Sequence, residues 1–284
     1  MHPVRRLQSF TLVIVAQTLV LSGLSAADKI FIKGNSTPNV GTITKVDDNA
    51  VFLNLEGVGG TSMQRANIER VEISKPADLV AGMKAASEGK FADAVNILEP
   101  HYTKYRGLPE AWIEETTARL GESYLATEKW AKAKDLFSAM RKYYPQSEFK
   151  DLVVSGQAQA LYGMSKPEEA EKLLEPLVQE RAKEESVSDE QNRALGKAYV
   201  TLGRCYAASK KNDQALNAFL STTTIYYKDP VATSEAQYES ALVFEKMENL
   251  SRARGQLEEL LKLFPNMPIA ADAKKKLDSM KPVS

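Results

Sequence analysis

The side chains that most often carry catalysis or hold metals are sparse in this 284-residue chain. It contains one cysteine, Cys205, and two histidines, His2 and His101. A zinc centre needs several Cys or His ligands, and a nucleophilic site needs a base beside its nucleophile. Cys205 and His101 show neither pattern, so the sequence predicts no metal centre, no cofactor and no catalytic residue. A single cysteine also excludes an internal disulfide, and we expect Cys205 to be a small buried side chain.

Two further patterns could suggest chemistry, and each has a simpler structural explanation. Acidic pairs occur at 114–115, 168–169 and 258–259. Adjacent residues on a helix do not face each other, so these pairs indicate solvated helix surfaces. The glycine-rich segment EGVGG at 56–60 joins two predicted strands and carries no Lys-Ser/Thr, so it does not predict a phosphate loop. An enzyme hidden elsewhere in the chain is kept only as an alternative.

The first 27 residues have the layout of a secretory signal peptide. Arg5 and Arg6 precede an apolar run at 10–24, and small residues then favour cleavage after Ala27. A retained anchor is the alternative, although the run is short for a bilayer span of about 20 residues. Cleavage would leave 35 Lys+Arg against 37 Asp+Glu. Bulk charge then attracts neither nucleic acid nor anionic lipid. We therefore expect an exported protein, periplasmic or extracellular, with no integral membrane segment after signal cleavage.

Residues 28–75 have the alternation and turn signals of a small all-β unit. Strands are predicted at 29–33, 40–46, 50–55, 61–66 and 70–74. The stretch Gly41-Thr-Ile43, followed by Asp47-Asp48-Asn49 and an aliphatic strand, resembles the start of an SH3-like or Sm-like barrel. Sm proteins bind RNA through basic and aromatic loops, whereas the loops here are acidic or glycine-rich, so that function is not transferred. Phe31 and Phe52 lie on the face opposite the aliphatic residues, and we expect this second face to dock on the helical region.

From Lys75 onward the period becomes helical and a repeat emerges. An alanine recurs at 94, 133, 170, 215 and 253, a large apolar residue follows four positions later, and a small residue lies twelve positions earlier. Small residues let two antiparallel helices approach closely, and hairpins of this kind bury their apolar faces by stacking on one another. Pro100 and Pro176 occupy one position of this repeat. They predict a kink late in the second helix, or alternatively an early helix end.

This pattern resembles the tetratricopeptide repeat (TPR), and residues 120–145, LGESYLATEKWAKAKDLFSAMRKYYP, are its closest copy. The resemblance implies a mainly α protein: a TPR-like α-solenoid of about five helical hairpins at 76–284 with a C-terminal capping helix. The signal peptide (1–27) and the small β-barrel (28–75) precede it. The units are longer than the usual 34 residues. With YPQSEF and FPNMPIA between hairpins, they resemble repeats of bacterial envelope proteins, such as the lipoprotein that helps assemble outer-membrane barrels and the Tol–Pal coordinator.

The resemblance also implies a binding surface, since first helices of TPR hairpins line the concave side and hold peptides or helices. The matching positions are Glu115, Glu122, Gln159, Tyr162, Lys197, Arg204 and Tyr238. They depart from the Lys/Asn clamp that grips C-terminal carboxylates. Lys197 and Arg204 lie two helical turns apart on one face, which indicates an acidic peptide or helix as ligand. The alternative for these residues is ordinary solvated helix surface.

These observations predict a non-enzymatic scaffold that binds another protein through the concave face of a TPR solenoid, with a role in envelope assembly. The alternative is a module that binds cell-wall glycan or another ligand through the β-domain. Residues 28–75 contain no tryptophan and only two arginines, which does not favour glycan or nucleic-acid binding there.

Overall fold

The computed structural model describes residues 27–55 and 57–280, which form an antiparallel sheet followed by a stack of helices. The predicted signal peptide, apart from Ala27, lies outside the described residues.

Five strands form one sheet, as the alternation predicts. They are β1 (Asp28–Ile32), β2 (Asn39–Val46), β3 (Ala50–Leu55), β4 (Gly59–Gln64) and β5 (Ile68–Glu72). Their order is β4-β3-β2-β1-β5, and every pairing is antiparallel. A 3₁₀ turn at Arg65–Asn67 connects β4 to β5. Closure into a barrel stays a prediction, since β4 and β5 stand at opposite ends of this order.

Eleven helices follow in the described part of the chain. They are α1 (Leu79–Ser87), α2 (Phe91–Tyr105), α3 (Ala111–Ala126), α4 (Trp130–Tyr143), α5 (Lys150–Gly163), α6 (Pro167–Arg181), α7 (Asp189–Ala208), α8 (Asn212–Thr224), α9 (Pro230–Lys246), α10 (Leu250–Leu263) and α11 (Ala270–Ser279). The first ten form five consecutive hairpins, and α11 packs on α10. The fold is therefore mainly helical and solenoid-like, as predicted.

The sheet docks on the helices through its aliphatic face, so the prediction that the Phe31–Phe52 face docks was wrong. Ile30 and Ile43 share a buried cluster with Leu108 and Ile113 from the start of the helical region. The indole N–H of Trp112 also donates to the Ile73 carbonyl at 3.2 Å. A sheet this small cannot fully cover its own aliphatic face. Packing that face against the helices removes more apolar area from water and so stabilises the sheet.

The two phenylalanines of the opposite face are covered by cations of the sheet itself. The Arg70 guanidinium lies 3.4 Å from the centre of the Phe31 ring, and the Lys45 ammonium lies 5.4 Å from that of Phe52. Cations held over aromatic faces in this way screen the rings from water while staying solvated themselves.

The repeat seen in the sequence forms the contacts between the two helices of each hairpin. All five repeat alanines and the five large residues one turn later are fully buried. Those larger residues are Leu98, Phe137, Leu174, Phe219 and Leu257. A Cβ on Gly121 or Gly203 would overlap the ring of Phe137 or Phe219, respectively. Glycine is required at these two positions because the ring of the second helix lies directly on the backbone of the first.

Every hairpin turns through a residue in the left-handed backbone region, five positions before its repeat alanine. These residues are Gly89, Glu128, Ser165, Lys210 and Glu248, with φ between 56° and 75°. In each case the next backbone N–H donates to the carbonyl five residues before it, as Lys129 does to Tyr124 at 2.8 Å. This hydrogen bond is that of a Schellman cap, which satisfies carbonyls at the helix end.

The two prolines lie inside continuous helices, so the alternative that they end helices early was wrong. Pro100 lies within α2 and Pro176 within α6, and both helices continue for another five residues. Both prolines are solvent-exposed, so water can hydrogen-bond the carbonyl four residues earlier that each proline leaves without a helical donor.

Candidate protein-binding groove

One large groove runs along the stack and is lined by the first helix of every hairpin. Its volume is about 1010 Å³, and its lining extends from Met83 in α1 to Pro268 before α11. Apart from Phe91 at the start of α2, the second helices contribute no residue to this lining, so the groove lies on the first-helix side of the stack. The apolar part of its lining includes Met83, Phe91, Leu125, Leu152, Val200, Val231 and Pro268.

Charged side chains in the groove balance one another. The basic residues of the lining are Lys84, Arg119, Arg193, Lys197 and Arg204, and the acidic residues are Glu115, Glu122, Glu190, Asp229 and Glu235. Equal numbers of each sign make the groove neutral overall. A neutral groove does not select ligands by net charge, so selection falls to local pairs and apolar contacts.

A network of ion pairs centred on Glu122 crosses the groove. The Glu122 carboxylate accepts from Arg119 Nη1 at 2.7 Å within α3 and from Lys197 Nζ at 2.8 Å across to α7. Lys197 Nζ also lies 3.4 Å from Asp229, the N-cap of α9. One lysine therefore links three hairpins of the stack, through Glu122 in α3 and Asp229 at the start of α9.

The ion-pair network changes the pKa of its central carboxyl group, Glu122. Burial opposes the charged form of Glu122, but the Lys197 ammonium and the Arg119 guanidinium outweigh it and hold the pKa of Glu122 below its ordinary value. Burial likewise opposes the charge on Lys197, and the carboxylates of Glu122 and Asp229 outweigh it and raise the pKa of Lys197. Both groups therefore stay charged at neutral pH.

Arg204 forms a second paired site about two helical turns further along α7. Its Nε donates to Glu239 at 2.7 Å and its Nη2 donates to Glu235 at 3.0 Å, both on α9. Burial opposes the charge, but these two carboxylates outweigh it and raise the pKa of Arg204. The two cations predicted to bind an acidic ligand are thus both occupied by carboxylates of the protein itself.

The structure brings five of the seven predicted binding residues to the groove. Glu115, Glu122, Gln159, Lys197 and Arg204 line it.

The two tyrosines lie outside that lining. Tyr162 packs in the cluster between α5, α6 and α7, and Tyr238 packs in the cluster with α10 and α11. Whether any of the seven residues contacts a partner stays a prediction.

Sequence reasoning missed several groove residues. Arg119 lies three residues before Glu122, and this helical spacing could have identified it. Asp229 and Val231 could not have been found in this way, because they lie at the start of α9 and reach the groove through the curvature of the stack. Ser155, a buried residue of the lining, has a hydroxyl without a hydrogen-bond partner among the described residues.

Cys205 and His101, the residue types considered for catalysis or metal binding, both lie within helices of the stack. Cys205 is fully buried, as predicted, and burial raises the pKa of its thiol to about 12. His101 is partly buried in α2, with Nε2 3.1 Å from Asp78 Oδ1. In residues 27–55 and 57–280 no three His, Cys, Asp or Glu side chains are grouped so as to hold a metal ion. Within the same residues, no helix has the length and apolar character needed to cross a bilayer.

Comparison with known families agrees with this architecture. The family model of the tetratricopeptide repeat matches residues 119–147 and 235–266. Two segments of the chain therefore match the tetratricopeptide repeat. The first match covers the second half of α3 and all of α4, and the second covers most of α9 and all of α10.

Solved structures of TPR proteins share the fold. A thermophilic TPR protein of Thermus thermophilus is 15% identical with a TM-score of 0.52, covering 71% of this chain and 95% of that chain. The Cut9–Hcn1 hetero-tetramer of the APC/C gives 17% identity and a TM-score of 0.53, covering 69% of this chain and 35% of that chain. No curated protein matches this sequence. The findings support a TPR protein, whereas the envelope type stays a prediction.

Lowering the pH should destabilise the protein partly through Glu122. Its pKa is depressed in the folded state, so its contribution is present above the unfolded value of about 4.3 and is lost as the pH falls through the folded pKa. We expect Glu122→Gln to lower the free energy of unfolding by about 1–3 kcal/mol at neutral pH. The gap between variant and wild type should narrow below about pH 4.3. Urea unfolding followed by circular dichroism at several pH values measures both effects.

The exposed carboxyl of Glu259 in α10 provides the control for this measurement. Glu259→Gln should stay close to the wild type across the pH series. A Glu122→Gln variant whose deficit is the same at neutral and acidic pH would contradict the role of the network.

Proposed function

We propose that this protein is a non-enzymatic scaffold that holds a segment of another protein in the groove. TPR repeats are typically scaffolds for protein–protein interaction, and two repeats are matched here. The observation that carries the proposal is the groove itself: about 1010 Å³, continuous over all five hairpins, and lined by both apolar side chains and paired charges. This mixture suits an amphipathic peptide or helix, whose apolar side chains need pockets and whose polar groups need partners.

The finer proposal of an acidic ligand depends on Lys197 and Arg204. Both cations are paired at 2.7–3.4 Å with carboxylates of α3, the N-cap of α9 and α9 itself. An acidic ligand can bind to these cations only by displacing the protein's own carboxylates. The loss of the existing ion pairs would offset much of the binding energy gained. The neutral lining therefore favours a ligand with mixed polar and apolar side chains over a strongly acidic one.

Site-specific cross-linking tests the proposal. We expect benzoylphenylalanine at Gln159, on the groove side of α5, to give a protein adduct on irradiation in the producing cell. The matched control is the same substitution at Gln179, an exposed glutamine of α6 outside the groove. Mass spectrometry then identifies the adduct. Equal adducts at both positions, or none at Gln159, would contradict binding in the groove.

We propose further that the protein is exported and acts in the periplasm or outside the cell, in assembly of the envelope. The support is the basic and apolar pattern of residues 1–27, together with the resemblance of the inter-hairpin segments to those of envelope proteins. N-terminal sequencing of the protein from its native cell should give Asp28 as the first residue. A chain that begins at residue 1 in the cytoplasmic fraction would overturn this.

No specific contact favours the alternative that the β-domain binds glycan or another ligand. Its two arginines are already engaged within the protein. Arg65 lies over the Tyr143 ring at 4.2 Å and donates to the backbone carbonyls of Asp47 and Arg106. Arg70 lies over Phe31.

A further inference from the structure

The two edges of the β-sheet differ sharply in how they are protected. The β5 edge carries three charged residues, Glu69, Arg70 and Glu72. Its pairing with β1 is also interrupted by a register shift between Phe31 and Ile32. Charges and irregular pairing are the devices by which natural sheets prevent another strand from adding to an edge.

The β4 edge has neither device. Its sequence, GGTSMQ, contains no charged residue and no proline. Its pairing with β3 runs without a register shift from Leu55–Gly59 to Ala50–Gln64. Among the described elements β3 is the only one with which β4 makes extensive contact, and every second residue of β4 is exposed. The outer backbone N–H and C=O groups of β4 therefore face solvent.

A row of unpaired backbone groups at strand spacing is complementary to another extended backbone. We infer that β4 pairs with β4 of a second copy of this chain, antiparallel about a two-fold axis at Ser62. This register uses residues 60–64 and leaves out Gly59, whose φ of 97° departs from strand geometry. The inference concerns the sheet and is independent of the groove.

The strand is complementary to itself in this register. Gly60 lies opposite Gln64, Thr61 lies opposite Met63, and Ser62 lies opposite its own copy. Met63 already packs partly against the core of the sheet, so the Thr61–Met63 pairs would extend that core across the axis. Small side chains at positions 60 and 62 leave room for the approaching strand. A two-fold contact of this kind is closed, as in most homodimers.

The distribution of charge favours pairing of β4 with β4 of a second copy over pairing of β4 with the β5 edge. No charged side chains oppose each other in a β4–β4 pair, whereas cross-strand like charges destabilise pairing. Without residues 1–27 the chain carries 35 Lys+Arg against 37 Asp+Glu, so two copies repel each other only weakly. Addition of β4 to the β5 edge would instead meet Glu69, Arg70 and Glu72 and the irregular pairing with β1.

The interface is small, because one five-residue strand pair buries less than the roughly 1,200 Å² typical of stable complexes. The dimer should therefore be concentration-dependent. Sedimentation equilibrium of residues 28–284, the chain without its predicted signal peptide, over a concentration series should show a monomer–dimer equilibrium. Ser62→Lys should weaken the dimer by about fivefold or more, because it places two ammonium groups opposite each other. Ser62 is exposed, so this variant should keep the wild-type melting temperature.

A charge-complementation experiment completes the test. Ser62→Asp alone should weaken the dimer to a similar extent, while an equimolar mixture of Ser62→Lys and Ser62→Asp should regain the wild-type association. Ser62→Thr, which keeps a small neutral strand-forming residue, is the matched control and should dimerise like the wild type. A wild-type chain that stays monomeric, a dimer unaffected by Ser62→Lys, or a mixture that fails to associate would each overturn the inference.

Discussion

Replacing Arg181 with methionine is expected to lower the free energy of unfolding by about 3–5 kcal/mol, because it leaves a buried carboxylate without its partner. Arg181 ends α6 and donates from Nε and Nη2 to the two carboxylate oxygens of Asp151 in α5, at 2.7 and 2.8 Å. Their side chains are only 4% and 3% exposed. Water therefore cannot replace the missing guanidinium, and chemical denaturation followed by circular dichroism measures the loss.

Two matched variants separate this ion pair from surface electrostatics. Glu180 also lies 3.0 Å from Arg181 but is 67% exposed, so Glu180→Gln should cost less than about 1 kcal/mol. The double variant Asp151→Leu/Arg181→Met should recover much of the loss, because no buried charge then remains. If Arg181→Met stayed within about 1 kcal/mol of the wild type, the pair would be contributing far less than its burial implies.

The position of this ion pair explains how the stack accommodates the extra residues of its longest repeat unit. The repeat alanines are 45 residues apart between Ala170 and Ala215, and the extra length falls at 181–193. Arg181 fixes the end of α6, while Ser188 and Gln191 form a capping box at the start of α7. Both ends of the connection are thereby anchored, and the insertion does not disturb the stacking of the hairpins.

Contacts within a hairpin could be predicted from the sequence because they repeat. A glycine or alanine twelve positions before a buried alanine has one geometric explanation, close packing of two antiparallel helices, and each unit supplies it again. The five strands were also predicted correctly. Their docking face was not, because alternation places Ile30 and Phe31 on opposite faces but does not determine which face meets the helices.

Contacts between hairpins could not be predicted, because they depend on how far each hairpin rotates relative to the last. Glu122 and Lys197 are 75 residues apart and meet across α5 through the curvature of the stack. The position of Tyr162 also depends on packing between hairpins, since its side chain joins the cluster between α5, α6 and α7 and not the groove lining. The left-handed turn residues could not be predicted because only Gly89 has the expected residue type.

Phe219→Ala should be about as destabilising as the loss of Arg181, at about 3–5 kcal/mol, for a packing reason. Phe219 is fully buried, and its ring lies directly on the backbone of Gly203 in α7. Because Gly203 carries no side chain, it offers no atoms to fill the cavity that the missing ring would leave. Its neighbour Leu220 is 56% exposed, so Leu220→Ala, measured in the same urea titration, should change stability by less than about 0.5 kcal/mol. If Phe219→Ala and Leu220→Ala lowered the free energy of unfolding by similar amounts, packing of the Phe219 ring against Gly203 would not be what stabilises the hairpin.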